Sequence, residues 1–68
     1  MATVKMTPLD AVRLALEREK ETLDFYLNLC KEVGDTGTKE MLKFLAQEEV
    51  KHVKLLEEEL DKEPYKEM

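Results

Sequence analysis

Apolar residues along this chain recur at helical spacing over two stretches and alternate over neither. Placed at 100° per residue, Leu9, Ala11, Val12, Ala15, Leu16, Leu23, Tyr26, Leu27, Leu29, Cys30 and Val33 fall within about 80° of one line. Met41, Leu42, Phe44, Leu45, Leu55, Leu56 and Leu60 form a second stripe of the same kind. Stripes this wide belong to helices buried over about half their circumference. Leu14, Phe25 and Val50 lie outside both stripes and are expected as scattered surface residues or as a further contact surface.

The ends of both stretches carry helix punctuation. Thr7 can cap, Pro8 suits the first helical position, and Asp10 stands where a capping-box acid belongs. The spacing predicts helix 1 over about 8–33, with Gly34 as a left-handed stop. A turn over 34–38 follows, offering Asp35, Thr36 or Thr38 as the next cap. Helix 2 is predicted over about 38–62, ended by Pro64, with residues 1–6 and 65–68 frayed. The whole chain, 1–68, reads as a single all-α hairpin domain.

A hairpin covers only part of each stripe. The remaining apolar face calls for a partner, and a second copy would give a four-helix bundle around a two-fold axis. A homodimer is therefore expected, with assembly beyond it open. Sixty-eight residues also make a domain of marginal stability when alone.

Charge narrows the partners. A net charge of −5 argues against nucleic acid and is compatible with cations. No stretch approaches the ~20 apolar residues of a membrane span, and no apolar signal-peptide core opens the chain. Cys30 is the only cysteine, so no disulfide framework or CxxC motif exists. A cytoplasmic location is expected, with Cys30 packed as a small apolar residue.

The chemistry lies where acids interrupt the stripes. Glu19 sits at the centre of the first stripe, His52 at the centre of the second, and Glu49 one turn before His52. Glu48 and Glu59 project toward the same side. Counted from the turn, Glu19 and His52 stand about 16–17 residues away and Glu49 about 13–14. At 1.5 Å per residue all three lie within roughly 5 Å of one level. A two-fold axis would add the partner's three, making four carboxylates and two imidazoles. Four charges in an apolar core are costly, and two divalent cations would neutralise them. Glu-x-x-His on one helix face is the arrangement of carboxylate-bridged di-metal bundles. Oxygen and imidazole donors suit iron or manganese, with zinc also open.

With Glu19, Tyr26 and Glu48-Glu49-Val50-Lys51-His52, the chain resembles the ferritin-like superfamily, most closely the rubrerythrin group. That group carries a helix Glu, a Tyr seven residues later and Glu-x-x-His on the next helix. The resemblance implies metal ligands at Glu19 (terminal or bridging), Glu49 (bridging) and His52 (terminal), with Glu48 an extra ligand or outer group. It implies that Tyr26 hydrogen-bonds the site and that two iron ions bind per dimer. Relatives fold four helices from one chain, so this half-bundle version depends on dimerisation. The paired CxxC motifs of the group's rubredoxin-like domain do not occur here, so a separate electron donor, or ferrous iron itself, is implied. The function expected is peroxidase- or ferroxidase-like oxidoreduction. The alternatives are a metal-stabilised structural or binding module without turnover, and a metal-free helical dimer.

Overall fold

The structure, a computed structural model, describes residues 5–62. Two helices of 25 residues each, α1 (Pro8–Glu32) and α2 (Thr36–Leu60), run as an antiparallel hairpin, and no strand occurs among the described residues. Thr7 caps α1: its Oγ1 accepts from the Asp10 N–H at 3.0 Å, and Pro8 opens the helix where no backbone donor is needed. No helix of the described residues is long and apolar enough to cross a membrane.

The connection differs from the predicted 34–38 turn. α1 stops at Glu32 because Val33 is already extended, at φ −94° and ψ 133°. Gly34 takes no left-handed conformation, for no residue described has a positive φ of that kind. Of the three caps expected for helix 2, Asp35 is the one used. Its Oδ2 accepts from the Thr38 hydroxyl at 2.7 Å and from the Thr38 N–H at 2.8 Å, which starts α2 at Thr36. The same two bonds, hydroxyl first, hold the Asp35 carboxyl below its ordinary range. A side chain added at Gly34 would meet nothing within 4 Å. Gly34→Ala is therefore expected to stabilise the fold by about 0.5–1 kcal/mol in urea unfolding, by narrowing the unfolded ensemble. A loss of similar size would reinstate the left-handed stop.

At its far end α2 closes on Asp61, whose N–H reaches the carbonyls of Glu57, Glu58 and Glu59. The proposed stop at Pro64 lies outside the described residues, as do 1–4 and 65–68 of the segments expected to fray.

The hairpin is one layer. Its principal extents are 46 × 33 × 12 Å, and the last is the diameter of a single helix with side chains. The radius of gyration of 15.8 Å exceeds the ~11 Å of a compact domain this long. Only Leu42 and Ala46 are buried among the described residues. Ala46, outside the predicted stripe, is the more buried of the two, and its small side chain suits close helix approach. On the helical wheel this seam lies roughly 80–120° from His52. α1 thus covers one edge of the α2 stripe, and Met41, Phe44 and Leu55 on the other edge are more than half exposed. Leu14, Phe25 and Val50 are exposed as expected.

Cys30 is half-buried, and its Sγ donates to the Lys39 carbonyl at 3.8 Å, tying α1 to the start of α2. The Lys20–Glu57 pair bridges the helices at 3.9 Å but is solvated on both sides and contributes little.

Candidate metal centre

Helix spacing brings three titratable side chains to one place near mid-hairpin. α1 supplies Glu19, with Leu16 and Leu23 about one turn to either side. α2 supplies Glu49 and His52, three residues apart and therefore on one face. Across the hairpin, His52 Nδ1 stands 3.7 Å from Glu19 Oε2 and 3.4 Å from Glu49 Oε2. One ligand atom from each of the three lies within 4.8 Å of the other two. Two donors on opposite sides of one cation, at bonds of about 2.1 Å, stand about 4.2 Å apart. The cluster is therefore near the span that a single divalent ion requires.

Burial is graded across the cluster, and the gradient follows the seam. The Glu49 side chain lies toward Leu42 and is 14% exposed, Glu19 is 30% exposed, and His52 is 52% exposed on the open face. Glu49 Oε2 is shut off from solvent and has no hydrogen-bond partner among the described residues. An unsatisfied buried carboxylate oxygen costs on the order of 1–3 kcal/mol or more. No Lys or Arg pairs with Glu19 or Glu49 among the described residues.

The cluster holds the Glu49 proton more tightly than an ordinary carboxyl does. Glu19, close enough to share a proton with Glu49, raises the Glu49 carboxyl above its ordinary range; burial and the charge of Glu19 add to this, and His52 opposes it. A divalent cation would replace that proton, satisfy the orphan oxygen and offset the repulsion between the two acids. Two carboxylates and one imidazole make a suitable donor set for iron or manganese. The residues present fit such an ion.

The other site candidates lie apart from this cluster. Glu48 Oε2 accepts from Lys51 Nζ at 3.0 Å on its own helix. Glu59 meets Lys62 at 2.9 Å. Tyr26 is half-buried and meets the Phe25 ring edge-on, centroids 5.7 Å apart; its hydroxyl makes no hydrogen bond among the described residues.

The ferritin-like domain family matches residues 2–64. A protein of Archaeoglobus fulgidus, described as uncharacterized, is 36% identical over 55 residues, which is 81% of this chain and 86% of that protein. No solved structure matches the chain.

Proposed function

Because the chain belongs to the ferritin-like domain family, we propose that Glu19, Glu49 and His52 hold iron as one half of a di-iron carboxylate centre that reduces peroxide or dioxygen. The observation that carries this reading is Glu49 Oε2, buried without a hydrogen bond and facing Glu19 and His52. Within the family, Glu19, Tyr26 and the Glu-x-x-His of α2 favour the rubrerythrin-like branch.

Each residue has its own part. Glu49, the most enclosed of the three, would be the bridging ligand, and its raised pKa sets a proton in competition with the cation. Glu19 closes the site from α1. His52, on the exposed side, is a terminal ligand; Glu48 is an additional donor only if it leaves Lys51. Tyr26 lies two turns from Glu19, with a free hydroxyl to offer the site or its substrate. Bound ferrous iron would supply the electrons for peroxide or dioxygen, which the side chains themselves lack. Manganese suits the same donors, whereas zinc would fit them without redox chemistry.

The test is direct. Anaerobic protein with one ferrous ion per chain, mixed with hydrogen peroxide, is expected to consume peroxide faster than the same concentration of free ferrous iron. His52→Leu should bring the rate back to that of free iron. Equal rates for the native protein and free iron would remove the redox claim.

A second reading is favoured by the small core. With only Leu42 and Ala46 buried among the described residues, a bound ion would act mainly by contributing folding free energy, as in metal-stabilised modules. It would show as strong metal-dependent stability with no peroxide turnover.

A further inference from the structure

The cluster is half exposed because the face that carries it is open. Met41, Phe44 and Leu55 share that face of α2 with His52, and each is more than half exposed. The chain exposes 5525 Å² of accessible surface, whereas a compact monomer of 8.0 kDa exposes about 4,500 Å². The excess has the sign that an uncovered face gives, and a standard protein interface takes ~800 Å² from each partner. The layer is also a single helix thick, and stable domains stack at least two layers around a core.

We propose that a second copy of this chain docks on the His52 face across a two-fold axis at the level of the cluster, contributing its own Glu19, Glu49 and His52 to the same centre. Two features favour a second copy over a foreign helix. First, carboxylate-bridged di-metal bundles use four carboxylates and two imidazoles, and this chain supplies half of that set in one place. A two-fold contact repeats the half-set without further requirement. Second, the polar pair within the face, Glu48 and Lys51, already neutralises itself on one helix. Outside the cluster itself, that pair leaves no net charge that would select an oppositely charged partner. The shared centre rests on the metal reading above; the interface rests on the open face alone.

One consequence is that dimerisation and metal uptake reinforce each other. Without cations, two clusters brought together would place four carboxylates in one core, and cations remove that repulsion.

The experiment is sedimentation of the full chain, metal-free and with ferrous iron under anaerobic conditions, alongside metal titration. The expected species is two chains or an even multiple, and iron should shift it to lower dissociation constants. The double variant Phe44→Glu, Leu55→Glu leaves every proposed ligand in place, yet it should sediment as one chain and bind ferrous iron at least 100-fold more weakly. A single chain of 8.0 kDa that binds iron as tightly as the native protein would overturn the proposal, as would an odd-numbered assembly. A dimer that takes up no iron upholds the interface and overturns the shared centre, so the two readings fail separately. Should the double variant lose its helices, dilution of the native chain replaces it. Mass and helix content should then fall together, and a dilute monomer that keeps full helix and iron would refute the inference.

Discussion

Glu49→Gln is expected to change sign with metal: it stabilises the metal-free protein by about 1 kcal/mol and weakens ferrous binding by 100-fold or more. The first half follows from the buried orphan oxygen. Glutamine keeps the shape, removes one of two opposed acids, and offers an amide donor toward Glu19, whose ligand oxygen lies within 4.8 Å. The second half follows from the donor set, because the amide carries no charge and Glu49 is the most enclosed ligand atom of the three. The pH dependence has a defined sign. Folding raises the Glu49 pKa, so the unfolded chain releases this proton first. From the ordinary carboxylate range upward to the raised folded value, the folded state binds more protons, and metal-free stability falls as pH rises. Above that window the loss is complete. Glu49→Gln should flatten this slope, while ferrous affinity of the native protein should climb across the same range as the competing proton leaves. Urea unfolding against pH, with and without iron, reads all of this. A variant less stable than native in the metal-free state would mean that Glu49 is satisfied by something other than a cation.

The residues that meet at the cluster were legible in the sequence, because they depend on two quantities that helices keep constant. Rise per residue set Glu19, Glu49 and His52 at one height, and angular spacing set Glu49 and His52 on one face. The structure brings those three together. The connection was less legible. Glycine after a helical run is a common left-handed stop, but here Asp35 captures both the hydroxyl and the N–H of Thr38, so α2 begins before such a stop is needed. Which edge of the α2 stripe faces α1 could not be read from periodicity either. A wheel centred on His52 weights both edges equally, and the seam formed along Leu42 and Ala46 because a small residue permits close approach. The alanine left out of the apolar stripe turns out to mark the contact. That offset leaves His52 on the open edge, and with it the exposed set of Met41, Phe44 and Leu55.

Saturating the protein with ferrous or manganous ion is expected to raise its melting temperature by roughly 15–30 °C, and a chelator should reverse the rise. Ligand present at a thousand times its dissociation constant adds about 4 kcal/mol to the folded state. For a domain of this size each kcal/mol moves the midpoint by about 4–8 °C. The shift is similar whether the cooperative unit is one chain or two, since bound ions and unfolding enthalpy double together. So large an effect is reasonable here because the metal-free hairpin has little else. Among the described residues, two buried side chains, solvated ion pairs and an unsatisfied carboxylate oxygen form a weak core, and a cation acts on the last of these directly. His52→Leu separates this account from a helical dimer that never binds metal. In such a dimer, leucine on an apolar face would be neutral or stabilising, and added iron would change nothing in either protein. Where the three residues ligate, the same substitution should abolish most of the metal-induced shift while leaving the metal-free midpoint at or above the native value. A native shift of only a few degrees, with bound metal confirmed by analysis, would place the ion on the surface and not at Glu19, Glu49 and His52.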